Sequence, residues 1–190
     1  MGKKKGFKEY YSLVCEGTAE ERLFAYLTKV RFKELFDKSN IKFSNKIEIS
    51  SSGISKGKLN GISDLASFKK KYQPIKRKDK RQKLFFLIDK DLDDSSKIEE
   101  IIKRGDDIIQ FVEYNSEYLL LNFAGNNTKN PSYFPNNLKN FRNYCKIEFR
   151  NKFGKEASEF KDQDFNNILK DVGDDEIKKA FPELFSTLTK

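Results

Sequence analysis

Hydrophobic and polar positions divide this chain into short buried strands alternating with helices. The clearest segment is residues 84–88, Leu-Phe-Phe-Leu-Ile, five large apolar residues with no polar interruption. Such a run reads as a strand covered on both faces, as in a parallel sheet with helices on either side. Residues 10–15 form a second strand of this kind, and residues 107–112 a third. The alternation at 47–50 adds a short fourth, followed by a flexible loop that contains Gly53, Gly57 and Gly61. Thr18 and Glu21 have capping-box spacing and open a helix that extends to about residue 37, with Leu23, Leu27 and Val30 on its apolar face. Ser63 or Asp64 caps a helix to Tyr72, and residues 97–104 form another that Gly105 ends, with Asp93, Asp94, Ser95 or Ser96 as its cap. Residues 118–123 are an apolar helix. From about Leu138 onward the pattern predicts two or three more helices, with Pro182 near the start of the last.

Strands alternating with helices define the fold class as α/β, with a mainly parallel sheet of about four strands flanked by helices and a C-terminal helical extension. The chain divides accordingly into a basic arm over 1–7, a core over 8–124, and a loop with helical extension over 125–190.

The two best strands both run directly into acidic residues. The run 84–88 stops at Asp89, Asp91, Asp93 and Asp94, and the first strand stops at Glu16, with Gly17 next. In open α/β sheets, ligands bind outside the carboxyl ends of the strands. Asp89 and Asp91 project to the same side of an extended chain, where two carboxylates repel unless a cation lies between them. Magnesium takes such hard oxygen ligands. Asp93 and Asp94 are read as capping residues. Asp89, Asp91, Asp93 and Glu100 also fit an EF-hand spacing, but Asp94 stands where the turn glycine belongs, so the match is accidental.

Composition narrows the chemistry. The 190 residues contain no His, which removes His-dependent nucleases, zinc hydrolases and Ser-His-Asp or Cys-His catalysis. Two Cys at unlike positions give no disulfide framework or zinc pattern; with no leader-like apolar segment near Met1, the expected compartment is the cytoplasm. No stretch is apolar enough for a membrane span. The formal charge of +9 is uneven: residues 1–83 carry 22 Lys and Arg against 9 Asp and Glu, whereas the remainder is net acidic. Lys69, Lys70, Lys71, Lys76, Arg77, Lys78, Lys80, Arg81 and Lys83 precede the carboxylate strand. They read either as a solvated loop or as a phosphate-backbone track leading toward the metal site.

The order strand–Glu16–helix, strand–Asp89-x-Asp91–helix, strand–Glu117 resembles the Toprim domain over roughly residues 8–124. Within that group it is most similar to the RloB and OLD-type nuclease branch. The first motif of that branch, Glu-Gly-x-x-Glu, is matched by Glu16-Gly17-Thr18-Ala19-Glu20. Its later helix is partly matched by Ser116-Glu117-Tyr118-Leu119-Leu120-Leu121-Asn122-Phe123. Leu119 and Asn122 replace the Trp and His of that helix. The resemblance implies a metal-dependent nuclease acting on DNA or RNA, with a phage-defence or restriction-linked role. Glu16, Glu20, Asp89, Asp91 and Glu117 would hold magnesium or manganese, and Glu16, Asp89, Asp91 and Lys155 would serve catalysis. No Walker A motif is present, so an OLD-like activity would either need a protein partner such as an ATPase or act alone. The competing readings are a non-catalytic nucleic-acid- or partner-binding module with a structural metal, and a metal-dependent phosphatase or phosphotransferase.

Overall fold

The computed structural model describes residues 9–77, 82–90, 94–126, 128, 131–134 and 138–189. The basic arm, Asp91, Asp93, Lys78, Lys80 and Arg81 lie outside these residues.

The chain is α/β, built on a four-stranded sheet whose strands are all parallel. Its members are β1 (Glu9–Cys15), β2 (Ile41–Ser44), β6 (Gln82–Lys90) and β7 (Ile108–Glu113), in the order β2-β1-β6-β7. The central strand justifies the both-faces reading residue by residue. Leu84, Phe86 and Ile88 belong to one apolar cluster with Val14, Phe68, Ile98, Ile102 and Ile109. Phe85 and Leu87 belong to the other, with Tyr11, Leu13, Leu23, Phe149 and Phe165. All five residues of the run are at most 2% exposed. The period-two alternation of a strand sends successive side chains to opposite faces, so a run with helices on both sides has no polar position.

The first cluster is covered by α3 (Leu65–Tyr72) and α4 (Ser95–Arg104). The second is covered by α1 (Thr18–Tyr26), α5 (Ser116–Phe123) and the C-terminal helices: α6 (Leu138–Phe153), α7 (Asp162–Leu169), α8 (Asp174–Ala180) and α9 (Pro182–Ser186). Residues beyond 125 therefore share one core with the strands through Phe149, Phe160, Phe165, Ile177, Phe181 and Leu184. Pro182 does open the last α-helix, where its missing N–H costs nothing.

Three expectations need correction. The helix expected to run from Thr18 to about 37 is broken: α1 passes into a π turn (Leu27–Arg31) and restarts as α2 (Lys33–Lys38). The wider turn takes Val30 off the apolar face, leaving it 44% exposed, while Thr28 and Phe32 are buried. Its N-cap is Gly17, not Thr18. Finally, the strand at 47–50 is not in the parallel sheet. It is β3 (Lys46–Ile49), which pairs antiparallel with β4 (Gly53–Lys56) and β5 (Ile75–Lys76) in a separate small sheet. Four residues of the expected flexible loop, Gly53–Lys56, are thus strand, and the parallel sheet gains β2 instead.

Candidate metal and phosphate site

Strand order fixes where a site can form. Chain connections leave β1 toward β2 on one side, while β6 and β7 lie on the other, so the order reverses between β1 and β6. Crevices at such a reversal, outside the carboxyl ends, are the usual ligand sites of open parallel sheets. Glu16 directly succeeds β1, and Asp89 is near the end of the paired part of β6.

The carboxylate of Glu16 is held in place from both sides. Glu16 N donates to Leu87 O (3.1 Å), extending the β1–β6 ladder by one residue. Its Oε2 accepts from Asp89 N (3.4 Å), and its Oε1 accepts from Ile62 N (3.2 Å). Ile62 belongs to a strap, residues 57–62, lying along the edge of β1 that β2 leaves open beyond Ser12. Cys15 N donates to Gly57 O (2.7 Å) and Leu59 N to Cys15 O (2.8 Å). The strap can lie this close because Gly57 has no side chain; a Cβ there would stand 2.0 Å from Leu13 O.

Glu20 sits in the first turn of α1. Its Oε2 accepts from Gly17 N (2.8 Å) and its Oε1 from Ser116 Oγ (2.6 Å). One carboxylate thus joins the N-termini of α1 and α5. Both ends present partial positive charge, which favours the acids gathered there. A Cβ on Gly17 would meet Glu20 Oε2 at 3.0 Å, a physical reason for Glu-Gly-x-x-Glu: the glycine makes room for the carboxylate its own N–H binds. Glu21, at the other end of the expected capping box, instead pairs with Lys58 (2.7 Å) and accepts from Asn45 Nδ2 (2.8 Å).

Glu117, in the first turn of α5, completes the set. Glu16, Glu20, Asp89 and Glu117 line one cavity of about 290 Å³. Burial raises the pKa of Glu117 above the usual carboxylate range; Lys146 opposes that rise, and Glu20 and Glu156 add to it. A buried acid among acids is the arrangement a cation relieves. Every donor is a carboxylate oxygen, the ligand type of magnesium and manganese, so the donor set fits a hard divalent ion. Among the described residues, no three such groups already stand at ligating separation, so an ion would have to draw them together.

The cations at this cavity were not foreseen. Lys146 and Arg150, one turn apart on α6, line it, and Arg150 pairs with Glu156. The available signal was periodic: Phe141, Cys145 and Phe149 mark the buried face of α6, which sets Lys146 and Arg150 beside it. Lys155 is elsewhere. The α6 helix ends at Phe153, Gly154 turns the chain with φ of +71°, and Lys155 Nζ then pairs with Asp164 (2.7 Å) in a neighbouring cavity.

The basic track is also not where it was expected. In a parallel sheet, residues just before a strand lie at the end opposite to those just after it. Lys83 pairs with Glu9 (3.0 Å) at the start of β1. Arg77 pairs with the buried Asp107 (2.7 Å) and donates to Gly105 O (2.7 Å) before β7. Lys83 and Asp89 are six residues apart along β6, or about 20 Å. Lys69 and Lys70 are exposed on the last turn of α3, and Lys76 is exposed on β5. Among the described residues of the track, only Lys71 reaches the strap, donating to Asn60 O (3.2 Å) and Gly61 O.

No helix among the described residues is long and apolar enough to cross a membrane. The chain was compared with protein-family models, curated proteins and solved structures, and none gives a significant match.

Proposed function

We propose that this chain is a metal-dependent phosphodiesterase of the Toprim type, a nuclease resembling the RloB and OLD branch. The observation that carries the reading is the gathering of Glu16, Glu20, Asp89 and Glu117 from β1, α1, β6 and α5 at the strand-order reversal, with Lys146 and Arg150 above them. Those four carboxylates, with Asp91 next along the chain, would hold magnesium or manganese, which would supply an activated water and Lewis-acid stabilisation. Glu16, fixed by two backbone N–H groups, keeps one carboxylate at a constant position between strap and strand. Lys146 and Arg150 neutralise a phosphate that enters the cavity, the role first sought for Lys155. Arg77 and Lys83 serve the opposite end of the sheet, and none of the described basic residues between 69 and 83 lines the cavity.

Calorimetric titration with manganese tests the ligand assignment. Wild type binds with carboxylate-dependent affinity, and Glu16→Gln and Asp89→Asn each weaken it at least tenfold while remaining folded. Undiminished binding by both variants would remove the reading. Turnover of a small phosphomonoester as fast as of an oligonucleotide would replace it with a phosphatase.

A further inference from the structure

The charge on α6 extends beyond the two residues that line the cavity. Lys139, Arg142, Lys146 and Arg150 are spaced by three, four and four residues, which puts all four on one helix face. Exposed Asn143 completes the stripe, and the helix's one acid, Glu148, is two residues from Lys146 and Arg150, on the opposite face. Lys139, Lys146 and Arg150 are exposed and Arg142 is half-buried. From Lys139 to Arg150 the stripe is about 16 Å long, and its C-terminal end is the rim of the carboxylate cavity.

Aromatic side chains gather at the N-terminal half of α6 across the helix from the stripe, where Phe141, seven residues before Glu148, shares its face. Phe141 is fully buried, and around it stand Tyr114 (5.0 Å between ring centroids), Tyr118 (5.5 Å), Phe134 (5.5 Å) and Tyr144 (6.4 Å), each half-buried. Tyr118 is the residue after Glu117, so this cluster and the cavity share the start of α5. A row of cations on one exposed helix face holds the phosphates of a strand without reading its sequence.

We infer that α6 is the track for a single-stranded nucleic acid, entering at Lys139 and delivering a phosphate to the cavity at Lys146 and Arg150. The geometry favours a single strand over a duplex. Glu16 and Glu20 are only 8% and 5% exposed, recessed below an exposed cationic rim. A duplex presents its phosphates on a stiff convex surface, whereas a flexible strand can lower one into the recess. DNA and RNA share the phosphate chemistry invoked here, and the assay separates them. The inference deepens the nuclease reading and rests on it only for the fate of the phosphate, since binding is measured without metal.

The test is fluorescence anisotropy with the full chain in chelator, using labelled single-stranded DNA, single-stranded RNA of the same sequence, and duplex DNA. Asn143→Glu adds a carboxylate to the middle of the stripe at an exposed position and removes no contact of the core. It is expected to weaken single-strand binding roughly tenfold, and Lys139→Gln with Arg142→Gln should also lower the slope of log affinity against log salt by about 1.4. Lys70→Gln with Lys76→Gln, at exposed positions off α6, should leave both unchanged. Equal affinity of Asn143→Glu and wild type overturns the track, as does tighter binding of duplex than of either single strand. If the protein binds through the stripe but never cuts when manganese is added, the nuclease reading fails and the track stands. If it cuts while Asn143→Glu binds normally, the track fails and the nuclease stands.

Discussion

Replacing Gly57 with alanine tests how the strap holds the site. The Cβ would stand 2.0 Å from Leu13 O, 3.1 Å from Leu13 C and 3.3 Å from Asn45 O. All three are backbone atoms, so no side chain can swing away, and the strap must retreat by more than about 1 Å to reach an ordinary contact of about 3.5 Å. That motion strains two short hydrogen bonds, Gly57 N to Asn45 O (2.6 Å) and Cys15 N to Gly57 O (2.7 Å). Each contributes about 1 kcal/mol net, and a buried group left without its partner costs about 1–3 kcal/mol. The expected loss is therefore about 2–4 kcal/mol, or roughly 5–15 °C in Tm for a domain of this size. The matched control is Gly173→Ala, where φ is −63° and nothing lies within 4 Å of the new Cβ; its stability should stay within about 0.5 kcal/mol of wild type. Urea denaturation of the three proteins gives the comparison. Equal stability of Gly57→Ala and Gly173→Ala would refute the account of the strap as a close-packed backbone element.

The same geometry sets three other expectations. Gly17→Ala pushes against Glu20 Oε2 alone, so it should cost at most about 1 kcal/mol of stability yet lower metal-dependent activity at least tenfold; loss of stability without loss of activity counts against the role of Glu20. Burial pushes the Asp107 carboxyl up to about 6, against the pull of Leu84 N–H and Arg77. The folded state therefore keeps its proton longer than the unfolded chain does. The stability advantage of wild type over Asp107→Asn is full below about pH 4 and falls by about 3 kcal/mol as pH rises through 6; a difference that grows with pH would mean that the Arg77 pair outweighs burial. Cys15 and Cys145 are fully buried and their thiols are pushed up, that of Cys145 to about 12, so a thiol reagent at about pH 8 should label neither until the chain unfolds.

Much of the fold was legible because burial on both faces leaves an unmistakable mark. Residues 84–88 could be placed at the centre of a parallel sheet from their composition alone, and Asp64, Gly105 and Pro182 punctuate the helices by ordinary local chemistry. What escaped was short or half-exposed. The Ile41–Ser44 strand and the small antiparallel sheet are two to four residues per strand and only partly buried, so pairing partners, not local pattern, decide their place. The register change at Val30 depends on a single π turn that no periodicity announces. At the site, Glu16 and Asp89 were legible as acids after buried strands, and their gathering with Glu20 and Glu117 is a consequence of the strand order. Lys146 and Arg150 were hidden by distance in sequence. The displaced basic track was recoverable: a segment that enters a parallel strand cannot also lie at its exit.

The most direct test of the central claim is cleavage of labelled single-stranded DNA, duplex DNA and a tRNA pool, with magnesium or manganese, by wild type, Asp89→Asn and Lys155→Gln. The account predicts cutting that requires the metal, falls by about a hundredfold or more in Asp89→Asn, and is kept in Lys155→Gln, whose Nζ belongs to Asp164. Cutting that survives Asp89→Asn, or that is lost in Lys155→Gln alone, would contradict it.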